Sequence, residues 1–183
     1  MNRRIKFFDT KIDQLQKLDV TPITDDRGDL TRLFCFAEMQ SVAEFNVSQI
    51  NMVNNPKSGT VRGMHFQAWP GTESKIIYCV KGKIIDICLD VRPNSGTFGK
   101  KVEVELSPQT ALLVPPGVAH GHQTLTPNTT LIYLHSAEYN HTLDRGIHWC
   151  NKIAPISWPL EITAISKKDT NLPKEAHYEM PQL

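Results

Sequence analysis

Arg62-Gly63-Met64-His65-Phe66-Gln67 carries a histidine and a glutamine two residues apart. Pro115-Pro116-Gly117-Val118-Ala119-His120-Gly121-His122 repeats that spacing with two histidines. On a β-strand, residues two apart project to the same face. The Pro-Gly turn predicts that a second polar strand follows it. Two such walls facing each other enclose a pocket inside a β-barrel. Imidazole changes charge near neutral pH, so a histidine-lined pocket suits the movement of protons. A metal centre would need three facial nitrogen or carboxylate ligands. The first segment offers His65 and Gln67 only, with no glutamate beside them. The pattern therefore turns the expected chemistry from metal catalysis toward proton transfer.

The elements that must position these residues are mostly strands. Lys75–Val80 and Lys83–Val91 read as a hairpin with Gly82 in its turn. In the second of these, apolar positions 85, 87, 89 and 91 share one face, and Asp86, Cys88 and Asp90 share the other. Val102–Leu106 and Thr129–Ser136 alternate again, with loop signals at 92–96 and 107–109. Short strands at this spacing predict an all-β sandwich or barrel. Helix signals are confined to Ala37–Ala43 and to a stretch around Ile162–Lys168, before an irregular tail with Pro173 and Pro181.

A chain of 183 residues fits one domain, 1–183, with a sizeable core. A net charge of +1 gives no electrostatic case for nucleic acid or membrane partners. No apolar run reaches the roughly 18 residues of a membrane span, and the N-terminus lacks a signal-peptide core. Cys35, Cys79, Cys88 and Cys150 are widely spaced with no Cys-x-x-Cys pair, and read as reduced thiols of a cytoplasmic protein.

A longer series of blocks resembles the sugar-nucleotide 3,5-epimerases of the cupin superfamily, typified by dTDP-4-dehydrorhamnose 3,5-epimerase. It runs from about Asp25 to Asp169 through Asp26-Arg27-Gly28, Gln49-x-Asn51, Arg62-Gly63-x-His65-x-Gln67, Lys75 and Asp86-x-x-x-Asp90-x-Arg92. It continues through Ser95-x-Thr97-Phe98-Gly99, Pro116-Gly117-x-Ala119-His120-Gly121, Tyr133, Tyr139, Gly146-Ile147-x-Trp149, Ile156-x-Trp158-Pro159 and Ser166-x-Lys168-Asp169. The resemblance implies a cupin jelly roll and a nucleoside diphosphate 4-keto-6-deoxyhexose as substrate. The C4 ketone of such a sugar acidifies the protons on C3 and C5. Epimerisation then requires a base, an acid on the opposite face, and a group that holds the enolate oxygen.

The resemblance assigns these roles to residues of this chain. His65 is the base and Asp169 the carboxylate that orients it. Tyr133, a phenol protonated at neutral pH, is the acid. Lys75 steadies the enolate at O4, with Asp86 as a candidate to orient it. Arg62 and His120 would hold the pyrophosphate, although Arg62 has the wrong strand parity unless Gly63 marks a bulge. Gln49 and Asn51 would bind sugar or phosphate, and Tyr139 would stack near the nucleobase. In this family an N-terminal segment crosses to a second subunit, so Arg27 would serve the partner's site in a homodimer. No metal or other cofactor is implied. Each residue also has an ordinary structural reading: a strand-bonded histidine, a core tyrosine, a solvated lysine, or an Asp25–Arg27 salt bridge in a turn.

Three departures mark this chain. After Arg27-Gly28 comes Asp29-Leu30-Thr31-Arg32-Leu33, where the family is aromatic and ends in Glu. Glu138 stands where a tyrosine often precedes Tyr139, and His122 stands where phenylalanine commonly follows His120-Gly121. The acid–base set is kept while the nucleotide-reading segment is altered, leaving dTDP, CDP, GDP and UDP carriers open. The expected function is epimerisation at C3 and/or C5 for surface-polysaccharide deoxysugars. The alternatives are a keto-sugar isomerase and a metal-dependent cupin enzyme.

Overall fold

The computed structural model describes residues 4–40 and 44–175. The alternating segments fold into two facing sheets, all pairs antiparallel. One sheet takes, in spatial order, β1 (Ile5–Asp9), β2 (Gln16–Val20), β10 (Thr110–Val114), β7 (Lys75–Lys81), β12 (Thr129–His135) and β5 (Gln49–Asn55). The other takes β13 (Asp144–Gly146), β6 (Val61–Gln67), β11 (Val118–Thr124), β8 (Ile84–Asp90) and β9 (Lys101–Leu106). A separate hairpin joins β3 (Ile23–Asp25) to β4 (Gly28–Leu30). From β5 onward nearly every connection crosses from one sheet to the other, which is the jelly-roll path.

That path corrects the expected hairpin at Gly82. The strands on either side, β7 and β8, lie in different sheets. Both edges of β7 are already occupied, by β10 and β12. Gly82, at φ +82°, turns the corner against Thr126 and Thr129, where a Cβ would lie 2.4 Å from the Thr129 hydroxyl.

The central strands β7 and β8 bury both faces, with alternate side chains entering different cores. In β7, Ile77 and Cys79 enter the core between the sheets with Leu112, Val114 and Leu131. Ile76 and Tyr78 enter a second core with Leu18, Leu113, Phe45 and Met39. The Tyr78 hydroxyl donates to the Leu33 carbonyl and ties that covering segment down. In β8, the even-numbered Ile84 and Cys88 face the central core. The odd-numbered Ile87 and Leu89 pack with Ile147 and Ile156 beneath the C-terminal segment. Each fully buried aliphatic side chain contributes about 1.5–3 kcal/mol.

The helices are single turns. α1 spans Phe36–Met39, shorter than the expected 37–43, whose last three residues lie outside the described set. The helix expected around Ile162–Lys168 forms instead as α2, Lys167–Thr170. Residues before it stay extended because their backbone bonds to the β6 entry: Thr163 N to Gly59 O at 3.0 Å, and Val61 N to Ala164 O at 2.8 Å. Ser166 then caps α2 by accepting from the Asp169 N–H at 3.0 Å. No helix among the described residues is long and apolar enough to cross a membrane.

Asp90 locks the β8–β9 connection. Its two oxygens accept from Arg92 Nε at 2.9 Å and Nη2 at 2.7 Å, from Ser95 Oγ at 2.7 Å and from Thr97 Oγ1 at 2.6 Å. Burial alone would raise this carboxyl, but the Arg92, Thr97 and Ser95 hydrogen bonds outweigh it and hold it at about 2. A depressed carboxyl stabilises the fold above its unfolded value near 3.9, and the gain is lost as pH falls toward 2. Asp90→Asn is therefore expected to cost about 2 kcal/mol at pH 7. In urea titrations from pH 6 to pH 2, the gap between variant and wild type should narrow toward the acid end. A gap independent of pH would mean that the carboxylate charge is not the stabilising element.

Candidate active site

The central space between the sheets is apolar at one end and polar at the other. The polar end opens as a cavity of about 540 Å³ lined by His65, Lys75, His120, Tyr133, Arg62, Asn51 and Tyr139 among others. That volume suits a small-molecule ligand. His65 comes from β6 in one sheet, and Tyr133 comes from β12 in the facing sheet, so the two project from opposite walls.

β6 is not a regular strand. Its register with β11 shifts between the His65–His120 and Arg62–His122 pairs. The shift centres on Gly63, at φ +118°, where a Cβ would lie 2.5 Å from Gly121 Cα and 2.8 Å from His120 O. Only glycine fits that conformation and that approach. The irregularity resolves the parity problem, because Arg62 and His65, three residues apart, both line the cavity. Arg62 Nε donates to Asn55 Oδ1 at 2.9 Å.

Asp169 reaches β6 from α2. One oxygen lies 2.8 Å from His65 Nε2, and the other accepts from the Gly63 N–H at 3.2 Å. Burial would raise its carboxyl, but the His65 hydrogen bond and charge, with Gly63 and Ser166, bring it below the usual range. An ionised Asp169 accepts a hydrogen bond from His65 Nε2–H and so leaves Nδ1 as the basic nitrogen.

Lys75 is not oriented by Asp86 as expected. Its ammonium pairs with Glu73 at 3.1 Å. Asp86 is fully buried behind the cavity wall, where its carboxylate lies 3.3 Å from His120 Nδ1. Burial pushes Asp86 up to about 7, against the pull of His122 and Lys75. Burial also holds His120 well below its ordinary value, helped by the nearby Lys75 and His65 charges. His120 is thus a neutral imidazole set among the His65 and Lys75 side chains.

Glu73 anchors a chain of hydrogen bonds absent from the sequence reading. His135 Nδ1 lies 2.8 Å from Glu73 Oε2, and its Nε2 lies 3.2 Å from Asn51 Nδ2. Asn51 Oδ1 accepts from Gln49 Nε2 at 3.1 Å, and Gln49 Oε1 accepts from the Tyr139 N–H at 2.9 Å. Burial would raise the Glu73 carboxyl, but His135 and Lys75 outweigh it and hold it low. Gln49 therefore positions Asn51 and Tyr139 without lining the cavity itself. His135 had a sequence signal, since it shares a strand face with Tyr133. Glu73 sits in a loop, where periodicity gives none.

Tyr133 is almost wholly enclosed, and burial raises its phenol, with Asp86 adding to the effect. Its hydroxyl lies 3.1 Å from His122 Nδ1. Burial lowers His122 to about 4 against the opposing pull of Asp86, so this ring too is neutral. At the mouth, the exposed Tyr139 donates to Asp144 at 2.8 Å, and Lys168 pairs with the same carboxylate. Gln67 spends its amide on the Gly71 and Glu138 carbonyls and the Asn140 N–H. Arg27 is not brought to this cavity. It is exposed at the β3–β4 turn and paired with Asp25 at 2.6 Å. Arg32 pairs with Glu38, also at 2.6 Å. Among the described residues, no group of three or more His, Cys, Asp or Glu side chains is arranged to hold a metal ion.

The family described as dTDP-4-dehydrorhamnose 3,5-epimerase matches residues 9–176. A relative of that name from Sinorhizobium fredii is 39% identical over 137 residues, covering 73% of this chain and 70% of its own. The crystal structure of the Bacillus anthracis enzyme, with TDP and PPi bound, superposes at a TM-score of 0.88 with 32% identity, over 92% of this chain and 98% of that one. A 3'-monoepimerase from Streptomyces bikiniensis, in complex with dTDP-quinovose, superposes at 0.83 with 27% identity, over 90% and 85%.

The Gly63–Gly121 approach carries both Arg62 and His65, so it can be tested directly. Gly63→Ala is expected to lower stability by on the order of 2–4 kcal/mol and to lose most activity. Gly96→Ala, with open space around the new Cβ, serves as the control. Urea midpoints at constant slope report the difference. Equal midpoints would show that β6 does not need the glycine.

Proposed function

The chain belongs to the dTDP-4-dehydrorhamnose 3,5-epimerase family, and we propose that its cavity inverts C3 and/or C5 of a nucleoside diphosphate 4-keto-6-deoxyhexose by proton transfer. It is thus an isomerase of deoxysugar biosynthesis. The observation that carries the proposed mechanism is the placement of His65 and Tyr133 on opposite walls, with Lys75 beside them. His65 Nδ1 removes a proton from the carbon next to the ketone. The C–H electron pair becomes the C=C bond of an enolate, and the carbonyl pair moves to O4. The Lys75 ammonium meets charge that exists only in the enolate, so it acts on rate more than on binding. Tyr133 then protonates the carbon from the other face. Asp169 holds His65 in the basic tautomer and stabilises the imidazolium.

Arg62 and His120 fit the pyrophosphate, Arg62 by charge and His120 as a neutral hydrogen-bonding ring. Asn51 and Tyr139 fit the sugar and the nucleobase. The TDP-bound and dTDP-quinovose-bound relatives make dTDP-linked sugars the first substrates to try. CDP, GDP and UDP carriers follow, because residues 29–33 depart from the family. A surface-polysaccharide pathway accords with such a product, and unpaired cysteines accord with a reducing cytoplasm.

A homodimer that exchanges the N-terminal hairpin would complete the site. In favour are an edge strand, β5, with Ile50 63% and Met52 67% exposed, and a hairpin whose Leu30 is 64% exposed beside Arg27. The partner subunit's Arg27 would then meet the nucleotide.

Two experiments test this reading. In D2O with each nucleotide-linked 4-keto-6-deoxyhexose, NMR at C3 and C5 should show exchange and inversion by the wild type. His65→Ala should abolish exchange, whereas Tyr133→Phe should exchange with little inversion. Full epimerisation by either variant would sink the assigned roles. Mixing Arg27→Ala with His65→Ala after co-refolding should restore activity that neither variant shows alone. No restoration, with mixed dimers demonstrated, would place Arg27 outside the partner's site.

A further inference from the structure

His122 lines the cavity and is buried, with one ring nitrogen engaged and the other left over. Its Nδ1 lies 3.1 Å from the Tyr133 hydroxyl, and its Nε2 is buried without a hydrogen-bond partner among the described residues. The ring is enclosed in β11, across from Asp86 on one side and Arg62 on the other. It is neutral, so it carries one proton on one of two nitrogens.

The orphaned nitrogen decides which. A buried N–H with no acceptor costs the full desolvation of a donor, and such groups are rare in folded proteins. A bare ring lone pair is the easier vacancy to bury. The proton therefore belongs on Nδ1, which donates to the Tyr133 oxygen. In that arrangement the phenol's own proton is turned away from His122 and toward the cavity.

We infer that His122 is a positioning residue for the acid: it aims the Tyr133 proton at the sugar carbon and stabilises the phenolate left behind. This rests on Tyr133 being the acid, as proposed above. In the step concerned, the Tyr133 O–H bond breaks and a C–H bond forms at C3 or C5. The new bond uses the enolate C=C electron pair, while the O4 pair re-forms the C4 carbonyl. The phenolate keeps the O–H pair and accepts the Nδ1–H of His122. Proton loss and gain balance, since His65 holds the proton taken from the opposite face. Stabilisation is needed here because Tyr133 sits where burial and the Asp86 carboxyl both disfavour a phenolate. A donor fixed in place before charge develops is worth most in such a water-poor site.

The test separates proton removal from proton delivery. Wild type, His122→Phe, His122→Asn and Tyr133→Phe are incubated in D2O with the 4-keto sugar nucleotide that the wild type epimerises. NMR then gives the ratio of inversion to exchange for each. His122→Phe should lower that ratio by about 10²-fold, as loss of one such donor does elsewhere. His122→Asn, whose amide N–H can occupy the Nδ1 position, should recover most of it. A purely structural role would lower exchange and inversion together and would not distinguish Asn from Phe. A wild-type ratio in His122→Phe, with Tyr133→Phe impaired, overturns the inference and leaves the acid assignment standing. A wild-type ratio in Tyr133→Phe overturns both. If His122→Phe does not fold, the Asn variant decides alone, since a ratio far below wild type in a folded His122→Asn contradicts the donor role.

Discussion

Asp169 joins two parts of the molecule that the chain keeps 104 residues apart in sequence. One of its oxygens holds the His65 ring, and the other holds the Gly63 N–H at the irregular centre of β6. The same carboxylate thus fixes the proposed base and the bulge that brings Arg62 round to the base's side. Its own position comes from the Ser166 cap of a one-turn helix. That helix is too short to stand alone. It is placed by the extended segment 163–164, which bonds to the entry of β6. The C-terminal segment therefore does more than cover apolar surface: it closes a circuit that begins and ends at β6.

Around that circuit the cavity sorts its ionisable groups into two kinds. Burial would raise the Glu73 carboxyl, but the His135 hydrogen bond and the Lys75 ammonium hold it in its charged form. Asp86, His120, His122 and Tyr133 are pushed by burial toward their neutral forms. The difference follows from partners, because burial disfavours charge in both sets and only the first has an ammonium at contact distance. A fixed positive charge beside neutral rings suits a reaction that builds negative charge on an enolate oxygen.

Much of this was legible in the sequence, and the gaps have physical reasons. Strand alternation pointed to the all-β class and most strand limits, since side chains on any strand alternate between its two faces. It misplaced β7 and β8 in one hairpin, because alternation shows which way side chains point and not which strand lies alongside. The His65–Asp169 pair followed from motif resemblance and is a direct contact. The Lys75 partner was misjudged, because Asp86 had a strand face to argue from and Glu73, in a loop, had none. The helix near 162–168 slipped toward the C-terminus because tertiary hydrogen bonds outweigh local propensity over so few residues.

The altered residues and the retained ones lie in different places, and that separation has a consequence. His65, Lys75, Tyr133 and Asp169 sit on or against the two sheets, each held by a buried neighbour. Residues 29–33 leave the exposed β3–β4 hairpin, and Arg32 is satisfied locally by Glu38. Substitutions there remove no contact from the cavity, so the segment proposed to read a nucleotide can change without disturbing the acid–base centre. His122 is the exception. It is the one departure set inside the wall, and it touches the Tyr133 oxygen. With the roles proposed above, hairpin changes would bear on which carrier is accepted, whereas a change at His122 would bear on how readily the proton is returned.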